Sequence, residues 1–191
     1  IALSILFLVT SYTQASDLKL ATLSPHLTEL VFSAGAGNPL VGVSSYSDHP
    51  AEAQSLPVIG DAFSINQELL LTLKPDIVFY WQNNIAKQMV AQVENLGIKA
   101  IPIKTQLIKD IPAAIHQIAK LANTSPLPNA QTFIPRIESL KAHSISKTQQ
   151  SALIQISDRP IYTVNGEHWM SESLEVCGMH NIFYDLPLRS T

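Results

Sequence analysis

From Leu18 onward the apolar positions of this chain fall into two alternating patterns. Short runs rich in branched and aromatic residues, LKLATLS (18–24), PLVGVSS (39–45), DIVFYW (76–81) and IKAIPI (98–103), predict strands. Between them stand longer stretches with apolar residues three and four apart: PHLTELVFSAG (25–35), INQELLLTLKP (65–75), IAKQMVAQVENLG (85–97) and KDIPAAIHQIAKLAN (109–123). Their punctuation is that of helices. Pro25 stands in a first turn, Asn66 is a candidate N-cap, Pro75 stops the second helix, and Gly35 and Gly97 follow the ends of the first and third. Such alternation predicts right-handed crossovers and a parallel sheet covered on both faces, an α/β fold.

In sheets of this kind ligands bind beyond the carboxyl ends of the strands. Four segments should emerge there: Ser24-Pro25-His26, Ser44-Ser45-Tyr46, Trp81-Gln82-Asn83 and Lys104-Thr105. Together they form an edge of hydroxyls, amides and two large aromatics, which suits a bulky ligand with a flat apolar part and many polar edges. Tyr46 and Trp81 read either as aromatic lids on the sheet or as ligand contacts. Ser44, Ser45 and Asp48 read as turn formers first and ligand contacts second.

The pattern changes after 123. SPLPNAQTFIPRIESLKAHSISKTQQ (125–150) reads as a proline-rich entry, a helix from about Asn129 to His143 and a polar exit. Pro135 costs roughly 3 kcal/mol in a regular helix interior, so a kink or a later helix start is expected. A second α/β unit then opens, with ALIQIS (152–157) and PIYTVNG (160–166) as strands and SESLEVCG (171–178) as a helix. These residues are too few to close a second lobe, and the chain is expected to be incomplete. The organisation expected is a leader over 1–15, a first α/β lobe over 16–123, a connecting region over 124–150 and the start of a second α/β lobe over 151–191.

Composition narrows the class. The 191 residues are 46% hydrophobic and 14% charged with a net charge of -3, enough for a real core and one or two domains. The mild acidic balance argues against a nucleic-acid partner. Ile1 to Val9 form an apolar run too short to span a bilayer, and Thr13-Gln14-Ala15 offers a cleavage point before Ser16, the marks of a secretory signal entered partway. Cys177 is the only cysteine, so no intramolecular disulfide forms; in its apolar helical stretch it reads as an inert buried thiol. Six histidines are dispersed without a metal-ligand pair, although His26 and His49 fall on the expected ligand edge. No dinucleotide loop, phosphate-binding loop or nucleophile elbow occurs.

The strings TLSPHLTELVFSAG, VGVSSYSDHPAEA, INQELLLTLKPDIVFYW, LGIKAIPI and LEVCGMHNIFYD stand in an order that resembles the vitamin B12-binding periplasmic proteins, the soluble components of cobalamin ABC importers. VSSYSD and the LEVCG…NIF pair are the specific parts, while LKPD is shared with siderophore- and haem-binding relatives. The resemblance covers nearly the whole chain after the leader. It implies two α/β lobes joined by one long rigid helix, with cobalamin in the cleft and little hinge motion. On it, Tyr46 and Trp81 match aromatics that line the corrin cleft. Tyr162 falls where the second lobe presents an aromatic, and Glu68 matches a glutamate that docks onto arginines of the membrane permease. Where the family has a further cleft tryptophan this chain has Ala62 and Phe63, which makes Phe63 a substitute.

The reading is a monomeric periplasmic solute-binding protein that captures cobalamin and delivers it to an inner-membrane ABC permease. It is not itself membrane-spanning, performs no catalysis and uses no catalytic cofactor. The nearest alternative keeps the fold and changes the cargo to a ferric siderophore or haem; an enzyme-class alternative is a secreted α/β hydrolase fragment with Ser24 beside His26.

Overall fold

The computed structural model describes residues 18–61, 63–82, 87–144 and 150–187. The leader read over 1–15 lies outside them. The first part of the chain runs β1 (Leu20–Thr22), α1 (Pro25–Ser33), β2 (Leu40–Ser44), a 3₁₀ turn over Ala51–Ser55, β3 (Val58–Gly60), α2 (Gln67–Leu73), β4 (Ile77–Trp81), α3 (Lys87–Asn95), β5 (Lys99–Ile103) and α4 (Asp110–Ala122). All five strands join one parallel sheet in the order β3-β2-β1-β4-β5. The α/β class with a parallel central sheet is therefore present.

The two faces of the sheet follow from the period of two along each strand. Leu20, Ile77 and Phe79 pack with Leu27 and Val31 of α1 and Ile115 and Ile118 of α4. Their neighbours Ala21 and Val78 pack the opposite way, with Leu70 of α2 and Val93 of α3. Strands buried on both faces read as continuous apolar runs, which is why DIVFYW shows no polar alternation. Burying a side chain such as Leu27 or Phe79 contributes about 1.5–3 kcal/mol each.

The caps are local chemistry. Asn66 Oδ1 accepts the Leu69 amide at 3.0 Å and starts α2, and Lys74, left-handed at φ 50°, ends it before Pro75. Gly35 follows α1 at φ 72°, and a Cβ there would stand 2.5 Å from the Ser125 carbonyl oxygen, so glycine is required twice over.

The structure departs from the sequence reading in several places. β3 lies in a stretch to which the sequence reading assigns no element, and it forms the sheet edge beside β2. The helix expected from about Asn129 is divided into α5 (Pro128–Gln131) and α6 (Phe133–Ser144), with Thr132 between. Pro135 is the third residue of α6, where its missing N–H has no intrahelical partner to lose, so the later start is the solution adopted. Next, β6 (Gln150–Ala152) pairs in parallel with β9 (Met179–Asn181), around β7 (Ser157–Asp158), β8 (Ile161–Tyr162) and α7 (Trp169–Val176). ALIQIS and PIYTVNG thus contribute only short pieces, and β7 and β8 form an antiparallel hairpin through Arg159 and Pro160. Cys177 is exposed: it caps the carboxyl end of α7, past the last buried residue Val176.

A polar knot fixes this last part. Asn181 is fully buried and its Nδ2 donates to the Val164 carbonyl at 2.7 Å and to Ser171 Oγ at 2.8 Å. Ser171 Oγ in turn donates to the Asn165 carbonyl at 2.7 Å, so β9, α7 and residues 164–165 are held as one piece.

Replacing Phe79 with alanine is expected to lower the unfolding free energy by about 3–5 kcal/mol in a urea titration, with little change in its slope. A loss under about 1 kcal/mol would mean that the sheet core does not pack as described.

Candidate ligand-binding site

The strand order reverses between β1 and β4, which places a crevice at their carboxyl ends. What fills that edge begins with hydroxyls. Thr22 Oγ1 lies 2.7 Å from Thr28 Oγ1, which lies 3.0 Å from Ser47 Oγ, which lies 3.3 Å from Ser44 Oγ, all buried. This chain ties the ends of β1, α1 and β2 together and draws Ser44 and Ser47 inward. Tyr46, between them in sequence, adopts a left-handed backbone at φ 65° and is 87% exposed. Such a conformation costs a tyrosine about 1–2 kcal/mol, and the flanking hydroxyl network over-determines it.

A second turn presents Phe63. Asp61 Oδ1 accepts the backbone amides of Phe63 and Ser64, each at 2.8 Å, and Ser64 Oγ at 3.1 Å. The Phe63 amide above all, with that of Ser64, holds the Asp61 carboxyl below its ordinary range. Phe63 is left 90% exposed. Ser45 joins the two turns, its amide and its hydroxyl both donating to the Gly60 carbonyl at 2.8 and 3.2 Å.

Trp81 closes β4 and meets the His26 ring edge-on, with centroids 5.1 Å apart and planes at 80°. His26 Nδ1 lies 3.3 Å from Ser24 Oγ and Nε2 lies 3.2 Å from Thr105 Oγ1. The imidazole therefore links the ends of β1, β4 and β5. Burial pushes its pKa down to about 4, so it is neutral near pH 7. Tyr46, Phe63, Trp81, Ser44, Ser45 and Asp61, with residues 23–26, line a rim cavity of about 300 Å³.

A second cavity, of about 900 Å³, shares only His26 and Trp81 with the first. It lies between α1, α4, α5 and α6 on one side and residues 164–170 on the other. Three hydrogen bonds bridge the sides: Trp169 N to the Gln106 carbonyl at 3.1 Å, Gln106 Nε2 to the Glu167 carbonyl at 3.4 Å, and Ile108 N to Glu172 Oε2 at 2.6 Å. Asp110 steadies the same loop by accepting the Gln106 and Leu107 amides at 3.0 and 2.9 Å. His168 Nδ1 accepts the Met170 amide at 3.2 Å and so caps α7, and burial lowers its pKa.

Of the residues singled out in the sequence, Tyr46, Trp81, Ser44, Ser45 and Phe63 come together on the rim. Tyr162 sits on β8, 60% exposed, and lines neither cavity. Glu68 is exposed in the first turn of α2, also outside both linings. Sequence reasoning missed Asp61, His168 and Trp169. The Asp61 signal was an acidic residue directly after a short β-run; that of Trp169 was the chain's second tryptophan, just ahead of a helical stretch. Among the described residues neither cavity is lined by a lysine or an arginine, and no group of three or more His, Cys, Asp or Glu is placed to hold a metal ion. No helix among them is long and apolar enough to cross a membrane.

A doubly wound parallel sheet with an aromatic, hydroxyl-rich crevice at its switch point is the framework of an α/β ligand-binding protein. Residues 20–190 match the model of the periplasmic binding protein family, and the chain belongs to that family. The chain is 32% identical over 183 residues to the vitamin B12-binding protein of Vibrio vulnificus (strain YJ016), an alignment covering 94% of this chain and 67% of the relative. The crystal structure of the periplasmic vitamin B12 binding protein BtuF of Vibrio cholerae superposes with a TM-score of 0.74 at 31% identity, covering 89% of this chain and 68% of that one. The periplasmic heme binding protein HutB of Vibrio cholerae shares the fold at 23% identity, with a TM-score of 0.73 over 87% of this chain and 66% of that one.

Because the His26 pKa is lowered from 6.5 to about 4 by folding, the unfolded chain takes up a proton there first. Stability is then expected to fall as pH drops from about 6.5 to about 4. His26→Gln should flatten that part of the profile in urea unfolding measured at several pH values. An unchanged slope would remove His26 as a contributor.

Proposed function

We propose that this chain is a periplasmic solute-binding protein that captures cobalamin and hands it to an inner-membrane ABC permease. The observation that carries the reading is the chemistry of the rim: three aromatics and several hydroxyls around the switch point, with Asp61 and no lysine or arginine among the described lining residues. A corrin is flat and apolar on its faces and rimmed by neutral carboxamides, which hydroxyls and amides satisfy. Haem carries propionates, and ferric siderophores are commonly anionic; both would bring negative charge against the Asp61 carboxylate. In this reading Tyr46, Trp81 and Phe63 lie against the corrin, Ser44 and Ser45 shape the turns that present them, and Tyr162 is the exposed aromatic offered from the second unit. The cargo is held without chemistry and no catalytic cofactor is used. The chain divides into a leader (1–15), a first lobe (16–123), a connecting region (124–150) and the start of a second lobe (151–191).

Titration of the chain with cobalamin, haem and a ferric siderophore tests the cargo, with quenching of tryptophan fluorescence as readout. Saturable quenching by cobalamin alone is expected, with Trp81→Ala weakening it about fivefold or more. Preference for haem would transfer the assignment to the alternative cargo of the same fold.

Glu68, exposed on the first turn of α2, is the docking residue in this proposal, complementary to arginines on the permease. In cells whose cobalamin import depends on this protein, Glu68→Arg is expected to leave cobalamin binding intact and abolish import. Import at the normal rate would take Glu68 out of the interface.

A further inference from the structure

Trp81 carries an indole that the protein does not hold by its nitrogen. Nε1 is buried, yet it has no hydrogen-bond partner among the described residues. A buried tryptophan is ordinarily fixed by that bond as well as by packing. Here the ring packs against the core that contains Phe79 and Ile103, and it meets His26 with planes at 80° and centroids 5.1 Å apart. We infer that His26 is a positioning residue for cargo binding: its ring sets the plane of the Trp81 indole and does not itself hold the ligand's metal. The inference rests on the corrinoid reading in so far as Trp81 lies against the corrin.

His26 is tied from both sides of the strand that carries Trp81. In the sheet β4 stands between β1 and β5. Ser24 stands just past β1 and its Oγ lies 3.3 Å from Nδ1; Thr105 stands just past β5, buried, and its Oγ1 lies 3.2 Å from Nε2. The imidazole thus spans the end of β4 and is anchored on the strand at either flank. A hydroxyl can donate or accept, so each satisfies one nitrogen of a neutral ring, whichever tautomer is present.

The same two bonds decide what His26 does not do. Burial keeps the ring neutral near pH 7, and its one unprotonated nitrogen is taken by a hydroxyl. No lone pair is left over for cobalt. What remains free is the flat edge contact with Trp81, held in rotation at two points, which a ring without nitrogens would not supply. An edge-on pair of this geometry orients both rings, and an indole already oriented loses less entropy when the ligand covers it.

Two readouts separate this role from a general structural one. In a Trp169→Phe background Trp81 is the only tryptophan, and its fluorescence anisotropy reports the motion of its ring with no ligand present. His26→Ala should lower that anisotropy. With Trp169 intact, cobalamin affinity is then measured by isothermal calorimetry in a double-mutant cycle. His26→Ala should weaken binding about two- to fivefold, no more than Trp81→Ala does, and should add less than about twofold once Trp81 is already alanine. His26→Gln keeps the reach toward Thr105 without the ring, and it replaces His26→Ala in both measurements if that variant does not fold. Bound aquacobalamin should show the same visible spectrum on the wild type and on His26→Gln. An unchanged Trp81 anisotropy, a loss of affinity that persists in full beside Trp81→Ala, or a His26-dependent spectrum of the bound corrinoid overturns the positioning role and leaves the corrinoid reading standing. A wild type that takes no cobalamin overturns the corrinoid reading alone, since the anisotropy needs no ligand and still decides whether His26 holds Trp81.

Discussion

Everything at the ligand edge hangs on β1. Its three residues are fully buried and paired in parallel on both sides, Leu20 with Leu40 of β2 and with Ile77 of β4. A strand laddered along both edges cannot slide without breaking both ladders, so its carboxyl end is among the best-fixed points of the sheet. From that end come the Thr22 hydroxyl that starts the buried chain to Ser44, the Leu23 amide that bonds Phe79 at 3.0 Å, and then Ser24 and His26. Because the sheet order reverses beside this strand, the loops on either side diverge and leave a crevice. Topology decides where the site lies; the side chains decide what it holds.

The first unit was largely legible because its helices are long enough to show a 3.6-residue period and carry their own caps, Pro25, Asn66 and Gly35 among them. β3 was not, because Val58–Gly60 is three residues between Pro57 and Asp61, and only pairing with β2 makes it a strand. The same limit blurred the second unit. The ALIQIS pattern is a strand pattern, yet β6 starts at Gln150 and the rest leads into a hairpin that the sequence does not announce with a glycine turn. At the site, Tyr46 and Trp81 could be read because they stand directly at strand ends. Asp61 could not, because its work is on backbone amides. His168 and Trp169 could not either, since the cavity they line is closed by contacts such as Ile108 to Glu172, far apart in the chain.

The exposed aromatics on the rim are not loose. Tyr46 is pinned by the hydroxyls that flank it in sequence, Phe63 by the Asp61 turn, and Ser45 fastens one turn to the other. Trp81 is braced by His26, itself held by Ser24 and Thr105. Each ring thus offers a large apolar face whose backbone is already ordered, which reduces the entropy lost on binding. The cost is visible in the left-handed turn at Tyr46 and in the burial of an imidazole that must stay neutral. Both are features of a surface organised before its ligand arrives.

Charge then discriminates among cargoes that the backbone cannot. A heme-binding neighbour shares this fold at low identity, so the fold alone does not name the cargo. The field inside this chain's crevice is a matter of its own side chains. Asp61 already receives three hydrogen bonds from its own loop, which stabilises its carboxylate, and among the described residues no lysine or arginine lines either cavity to offset it. A second carboxylate brought there, as on haem, would lose water without gaining a cation, and a desolvated charge without a partner is strongly unfavourable. A carboxamide carries no charge and loses far less on leaving water. The absence of a countercharge is therefore selective in itself, favouring a cargo whose polar groups are many and neutral.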